Sequence, residues 1–250
     1  MSGDIDIPPN NSSGEERQFV HFSFYKLDAA FRRLPPAEQE AARAELQVII
    51  DDATERFPIR AYTMAGIRPD ADIMLWKVSE RLEDFRELGS AIMSTALGGY
   101  LETPYAYLSM TKRSQYVKGE GRSMHKRGRI VWNPDSRYLL IYPMVKTRAW
   151  YQLSKPARQG IMNEHIATGH RFPTVKINTT YSFGIDDQEF VVAFETDHVG
   201  DFLDLMMTLR ETEASRYTER DTPIFTCISC TVEEALRSLG GSAVGAMEPA

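Results

Sequence analysis

Hydrophobic and polar positions alternate at the start of the chain and then take up a helical spacing. Apolar side chains recur at every second position in RQFVHFSFYKL, as in a strand with one buried face. They recur at intervals of three and four in the next segment, as in a helix. Two short strand patterns, a second helix and a closing strand follow. The predicted order β-α-β-β-α-β covers residues 17–27, 35–56, 59–66, 72–78, 79–97 and 104–111.

The second half of the chain repeats this order. The segment GIRPDADIMLW, which begins at Gly66, is similar to GIDDQEFVVAF, which begins at Gly184. An internal repeat of a split βαβ unit predicts an α+β protein of two fused ferredoxin-like modules. Their sheets would either pack face to face or close into one shared, dimeric α/β-barrel-like sheet. The second module is predicted to contain strands at 129–132, 137–142, 172–183, 189–195 and 224–231, with a helix at 198–214.

These patterns divide the chain into four parts. We expect a disordered tail at 1–16, an N-terminal module at 17–112, a C-terminal module at 113–235 and a loose tail at 236–250. The polar, acidic opening has no basic start followed by an apolar stretch, so we expect no signal peptide and a cytoplasmic location. No apolar run approaches the roughly 20 residues that a membrane span requires.

The charge balance argues against general nucleic-acid binding. The formal net charge is -6 and the sequence pI is about 5.5, and an acidic surface repels a polyanion. A local basic pocket for a smaller anion remains compatible with these values. The composition, 42% hydrophobic and 26% charged, is that of an ordinary globular protein.

A helix pattern from Ser154 to Gly169 places a histidine on its apolar face. Ser154 is a suitable N-cap and Gly169 a suitable C-cap. Helical spacing then brings Met162, His165 and Ile166 to one side. A histidine that faces a pocket can bind a metal ion or heme iron, whereas a hydrogen-bonded core histidine is the ordinary alternative.

The segment IYPMVKTRAWY, which precedes this helix, combines aromatic rings with cations. It contains Tyr142, Lys146 and Trp150, and His125 lies upstream in the basic stretch RSMHKRGR. Taken singly, these residues would be core aromatics, a solvated lysine and a loop histidine. No HExxH, P-loop or GxGxxG motif competes with them. The candidate chemistry is therefore concentrated in the second module.

Three motifs together resemble a known family. The motifs YPxxKxxxWY, HxxxG on the helix and RxxxxS from Arg210 to Ser215 are similar to those of the coproheme decarboxylases, peroxide-dependent heme synthases of the chlorite dismutase superfamily. The similarity covers roughly residues 17–235. His125 resembles the distal histidine found in the actinobacterial branch of the family.

The resemblance implies the chlorite dismutase fold, a homopentamer and iron coproporphyrin III (coproheme) as both substrate and redox centre in the C-terminal module. Hydrogen peroxide would drive the oxidative removal of carbon dioxide from two propionates, which leaves vinyl groups and gives heme b. The same resemblance implies heme biosynthesis as the setting and a transient contact with a coproporphyrin ferrochelatase.

The resemblance also assigns roles to individual residues. His165 corresponds to the axial ligand of the iron, Tyr142 to the tyrosine that becomes a radical, and Lys146 to the lysine beside the reacting propionate. His125 corresponds to the distal base that takes a proton from peroxide, and Trp150 to a tryptophan of the pocket wall. The groups expected to hold the other propionates are Arg210, Ser215, Tyr107 and Arg129.

Several alternatives stay open at the level of sequence. In a chlorite dismutase or peroxidase the distal arginine would fall where Asn178 stands. His170 is a second candidate ligand, although it follows the end of the helix. A non-catalytic heme carrier or sensor would need His165 without Tyr142 or Lys146, and an unrelated barrel without metal would need none of them.

Overall fold

The first module has the predicted order of strands and helices. The structure, a computed structural model, describes residues 17–117, 130, 132–133 and 135–240. Short 3-10 turns lie within the connection from the first strand to the first helix, at Phe31–Arg33, and within that from the second helix to the last strand, at Gly98–Tyr100. The elements of this module are β1 (Phe19–Leu27), α1 (Pro36–Arg56), β2 (Ile59–Thr63), β3 (Ile73–Ser79), α2 (Leu82–Met93) and β4 (Leu101–Met110).

The second module has the same order with three short additions, α3, β8 and α6. The segment after Lys146 turns at once into the short helix α3, where the sequence pattern indicated only a strand end. Its elements are β5 (Tyr138–Lys146), α3 (Arg148–Gln152), α4 (Lys155–Gly169), β6 (Lys176–Tyr181), β7 (Phe190–Thr196), α5 (Val199–Glu211), β8 (Thr218–Arg220), β9 (Phe225–Cys230) and α6 (Val232–Ser238). In the strand predicted at 129–132, residues 129 and 131 lie outside the described residues, and residues 130 and 132 do not belong to a strand.

The two sheets join into one closed ring. The strand order is β7-β6-β4-β1-β3-β2-β9-β5, and β5 pairs with β7 again, while β8 pairs with the end of β5. Each module thus contributes strands to both seams, β4 with β6 and β2 with β9. This confirms the α+β fold with two ferredoxin-like modules, and of the two predicted sheet arrangements it is the shared barrel.

Two glycines mark the internal repeat in the backbone. Gly66 has φ +77° and Gly184 has φ +69°, and they occupy the equivalent loops that follow β2 and β6. A positive φ is easily adopted by glycine and strained for other residues. The similarity between the two segments therefore reflects one turn that occurs twice.

The barrel interior is a core shared by both modules. Aromatic rings of the first module meet those of the second, as where Phe24 and Phe225 lie with ring centroids 4.1 Å apart. Buried apolar surface of this kind supplies most of the driving force for folding. Separate apolar clusters cover the outer faces of the two half-sheets.

The last helix packs against the first module. Ala235, Leu236 and Leu239 belong to the same buried cluster as Leu46 and Ile50 of α1. Helix α6 begins with a capping box, in which Thr231 and Glu234 bond each other's backbone N–H groups. It continues to Ser238, past residue 235, where the sequence pattern ended the second module.

Candidate functional site

Tyr142 lies on the outer face of the second half-sheet because of its register. It stands opposite Val192, which in turn stands opposite Thr179, so these three side chains share one face. The neighbouring Ile141 belongs to the buried cluster inside the barrel. One strand therefore supplies both the barrel core and the outer site.

The Tyr142 side chain is held between the sheet and α5. Its ring centroid lies 5.8 Å from that of Phe194, and its hydroxyl lies 4.0 Å from Sδ of Met206. Burial raises the pKa of the phenol, and the charge of Asp221 raises it further. Tyr142 is consequently a neutral phenol at neutral pH, with an O–H that no strong acceptor holds among the described residues.

Lys146 ends β5, and its buried ammonium has no carboxylate hydrogen-bond partner in the described part of the chain. Its Nζ donates to the carbonyl of Ala214 and the hydroxyl of Thr218, each at 3.2 Å, and only 8% of the residue is exposed. Burial lowers the pKa of this ammonium to about 8, while Asp221 and Glu189 act in the opposite direction. The group is still mainly charged at pH 7, so it is a cation suited to receive an anion.

Trp150 lies directly beside Lys146. Helix α3 carries the indole back over the end of β5, where the Lys146 Nζ stands 5.3 Å from the ring centroid. Tyr217 packs on the same indole with centroids 5.5 Å apart. Trp150 is buried, so it forms a wall next to the cation.

His165 faces this group of residues from α4. The helix starts as predicted, with the Ser154 hydroxyl accepting from the Ala157 N–H at 3.3 Å. It ends one residue later than predicted, since Gly169 is helical and His170 is the C-cap. His165 Nδ1 is buried and has no hydrogen-bond partner among the described residues. Burial, with the nearby charge of Lys146, lowers the pKa of its imidazole to about 4.

Helix α4 is far less buried than its counterpart α1. Of its side chains only Thr168 is fully buried, whereas the equivalent helix of the first module has six buried residues. The predicted face of Met162, His165 and Ile166 is half-buried. Its apolar face is thus incompletely covered by protein.

Arg210 and Ser215 lie close to Tyr142 and Lys146. Arg210, in the last turn of α5, forms an ion pair with Asp221. The positive charge of Arg210 lowers the pKa of Tyr142, against the larger effect of burial. Ser215 is half-buried in the 3-10 turn Glu213–Tyr217, next to the carbonyl that accepts from Lys146. We use the term outer-face cluster for five residues: Tyr142, Lys146, Trp150, His165 and Arg210.

Other candidates lie elsewhere. Tyr107 is inside the barrel, within the cluster that contains Phe24 and Phe225. Asn178 also points into the barrel, where its Nδ2 donates to Glu195 at 3.1 Å. Because Asn178 stands opposite Ala193, a barrel-core residue, it does not share the face of Tyr142.

Two candidates, His125 and Arg129, lie outside the described residues. His170 and Arg148 are exposed. The charge of Arg148 lowers the pKa of Tyr151, which is not a member of the outer-face cluster. Sequence reasoning missed Asp221, which approaches the cluster only because β8 pairs with β5. Its one local signal is its place in the acidic and basic run TERD.

The described residues fit a heme-type group better than a bare metal ion. Within them, no group of three or more His, Cys, Asp or Glu side chains could hold a metal. A neutral imidazole on a half-buried helix face is what a porphyrin iron needs from a protein. The cations and the indole beside it suit a flat ring that carries carboxylates. No helix in the described ranges is long and apolar enough to span a bilayer.

The fold and the outer-face cluster define a class of protein, in which two ferredoxin-like modules share a closed barrel and the second module carries a histidine site outside it. The chlorite dismutase family model matches residues 39–230. The chain belongs to the chlorite dismutase family.

Named relatives agree with this assignment. The chain is 29% identical to a coproheme decarboxylase of Mycolicibacterium smegmatis over 179 residues, which cover 71% of this chain and 75% of that protein. It is 25% identical to an arginine-to-lysine variant of chlorite dismutase from Candidatus Nitrospira defluvii, with a TM-score of 0.81 over 89% of this chain and 94% of that one. The same enzyme in complex with imidazole is 23% identical, with a TM-score of 0.79 over 89% and 94% of the two chains, and supports the fold.

Proposed function

We propose that this protein is a heme-forming oxidoreductase. Its reaction would be the peroxide-dependent oxidative decarboxylation of two propionates of iron coproporphyrin III to vinyl groups, which gives heme b. The name of the Mycolicibacterium smegmatis relative supports this proposal. The observation that carries it is the convergence of a neutral phenol, a buried ammonium and a neutral imidazole on one outer face, from Tyr142, Lys146 and His165.

His165 would hold the iron. An imidazole binds iron only when its ligating nitrogen is unprotonated, and a pKa of about 4 keeps the ring of His165 neutral across the physiological range. The partly covered face of α4 would then meet the porphyrin plane. When bound, the iron porphyrin together with peroxide supplies the oxidising power of the reaction.

Tyr142 would pass this oxidising power to the substrate side chain. Its O–H gives up a hydrogen atom, and the resulting phenoxyl takes a hydrogen atom from the propionate carbon next to the ring. Loss of one further electron and of carbon dioxide leaves the vinyl group. Each propionate thus gives up two electrons, one proton and carbon dioxide. One peroxide takes up the two electrons, that proton and one further proton from solvent, and becomes two waters.

Lys146 would position the reacting carboxylate. Its Nζ lies among neutral acceptors, so an incoming propionate would be its first carboxylate partner in the described part of the chain. A charge-assisted hydrogen bond of this kind is short and directional. Trp150 would limit how far the carboxylate moves, because its ring covers one side of the ammonium.

The remaining assignments have uneven support. The positions of Arg210 and Ser215 favour contacts with non-reacting propionates, whereas Tyr107 faces the barrel core and its position gives that role no support. The roles of His125 as distal base and of Arg129 as a propionate partner rest on the sequence resemblance. The homopentamer, the ferrochelatase contact and the cytoplasmic location likewise remain predictions, and sedimentation would test the first of them.

The proposed reaction is tested by adding iron coproporphyrin III to the purified protein, recording the Soret band, titrating peroxide and following the porphyrin mass. We expect a shifted Soret band and two successive losses of carboxyl mass. A heme carrier would give the shift without mass loss. Breakdown of chlorite, added to a separate sample of the loaded protein, in place of mass loss would favour a chlorite dismutase. With no Soret change, the heme assignment is wrong.

We expect Tyr142→Phe to bind coproheme within about twofold of the wild type and to lose decarboxylation, because the ring stays and only the transferable hydrogen is removed. Tyr138→Phe is the matched control, since Tyr138 is a half-buried phenol on the same face of β5. Retained turnover in Tyr142→Phe would remove this tyrosine from its role.

A further inference from the structure

The outer-face cluster holds two cations and, close to both, one carboxylate. Asp221 follows β8, whose pairing with β5 sets Arg220 opposite Val145 and Thr218 opposite Lys146. This register brings the Asp221 carboxylate to the end of α5, where it forms the ion pair with Arg210. The carboxylate side chain is 16% exposed and the guanidinium side chain is 49% exposed.

The two cations differ in their partners. Arg210 is neutralised by a charge-assisted hydrogen bond to Asp221. The Lys146 Nζ donates only to a carbonyl and a hydroxyl among the described residues, so no carboxylate bonds it directly, although Asp221 and Glu189 act on its charge from nearby. A carboxylate that enters the cluster therefore finds one cation already engaged and one available.

Asp221 also acts electrostatically on the groups that would react. Beyond the larger influence of burial, its charge raises the pKa of both Tyr142 and Lys146. It therefore helps to keep the phenol neutral and the ammonium charged. A negative group this near to a binding site for a polyanion lowers the affinity of the site. A gain in selectivity, in which cation binds which carboxylate, would explain its presence.

We propose that Asp221 is a positioning residue that engages Arg210 and thereby leaves Lys146 as the cation that receives the reacting carboxylate. This inference rests on the proposed function for the nature of the ligand, a porphyrin with carboxylate side chains. It assigns Asp221 the task of deciding which cation binds which carboxylate, at the expense of affinity. Removal of its charge frees Arg210 to compete for the carboxylate next to Tyr142.

The test is the affinity of Asp221→Asn for iron coproporphyrin III without peroxide, measured from the Soret band. We expect binding on the order of tenfold tighter than that of the wild type, because the Arg210 guanidinium is released from its ion pair and can bind a carboxylate of the porphyrin. A purely structural role would weaken binding instead. Asp221→Glu should behave like the wild type, and so should the control Glu219→Gln, which removes an exposed carboxylate of the preceding strand β8.

Two further measurements isolate the route through Arg210. In an Arg210→Gln background the Asp221→Asn change should alter affinity less than twofold; a full gain there would mean direct repulsion and would overturn the inference. The tetramethyl ester of the same iron porphyrin should bind the wild type and Asp221→Asn equally, because it has no carboxylates. Weaker or unchanged coproheme binding by Asp221→Asn also overturns the inference.

The outcomes separate this inference from the proposed reaction. A wild type that binds coproheme without losing carboxyl mass contradicts the reaction, while the predicted change in affinity still supports the role of Asp221. A wild type that does not bind coproheme contradicts both. With peroxide, Asp221→Asn should accumulate the product of a single decarboxylation, and wild-type product ratios would count against selectivity.

Discussion

At the scale of single residues, Lys146 combines burial with a charge that the protein only partly offsets. Its ammonium lies under Trp150 and bonds two neutral oxygens. Removal of a charge from water is costly, and a buried lysine responds with a lower pKa. The folded chain retains the charge at pH 7 partly through Asp221 and Glu189, which act against the fall in the pKa of Lys146. A small further fall in this pKa would remove the proton at neutral pH.

This balance predicts a pH dependence for coproheme binding. Because the pKa of Lys146 is lowered to about 8, the ammonium is charged below that pH and loses its proton above it. Affinity should therefore fall between pH 7 and pH 9.5, by about tenfold if one carboxylate contact is lost. Soret titrations across this range measure the effect.

Two variants make that test specific. Lys146→Met should bind more weakly at pH 7 and show no step near pH 8, whereas Lys146→Arg should stay charged and bind well to a higher pH. A step of equal size in Lys146→Met would assign the titration to another group.

At the scale of elements, the contrast between α1 and α4 decides where the molecule is rigid. Helix α1 has buried side chains along its length, from Gln39 to Ala53, and α4 has one. Packing of an apolar face provides most of the stability of a helix in a protein. Helix α4 is therefore expected to open more readily, and a ligand that covers His165 would stabilise it.

Amide hydrogen exchange tests this expectation. In the free protein we expect faster exchange in α4 than in α1, and coproheme should slow exchange in α4 by tenfold or more without changing α1. Helix α1 serves as the internal reference. If protection on binding appeared elsewhere and not in α4, the ligand would not lie on this helix.

The predictability of these elements follows from the range of the interactions that determine them. Helix α4 and its cap at Ser154 could be predicted because capping and periodicity are local. The inward direction of Asn178 could not, because a shift of one residue in strand register reverses every side chain. Asp221 was missed for the same reason, since only the pairing of β8 with β5 brings it near Lys146. The motifs around Tyr142 and His165 were visible because each lies in one continuous segment.

At the scale of the whole molecule, an ion pair inside the barrel ties the two modules together. Arg60 on β2 donates to Glu195 on β7 at 2.8 Å, and the glutamate is almost fully buried. Glu195 also accepts from the Asn133 N–H and from Asn178. The pair thus connects both half-sheets and the segment that joins them.

We expect Glu195→Gln to lower the free energy of unfolding by about 3 kcal/mol, because it leaves the Arg60 guanidinium in the barrel without its carboxylate. Urea unfolding measures the change. The control is Glu87→Gln, which removes one of the partners of Arg56 from an exposed ion pair and should cost no more than about 0.5 kcal/mol. Equal stability of Glu195→Gln and the wild type would show that this pair does not hold the modules together.

Helix α6 has a consequence for how the chain is made. The first module is built from early residues, yet its outer core includes Ala235 and Leu236, and the Arg43 guanidinium bonds the Gly240 carbonyl across 197 positions of sequence. During synthesis the N-terminal half thus leaves the ribosome with part of its apolar surface exposed. The outer core of the first module can be completed only after the C-terminal half has been translated. We therefore expect the two modules to fold together as one cooperative unit.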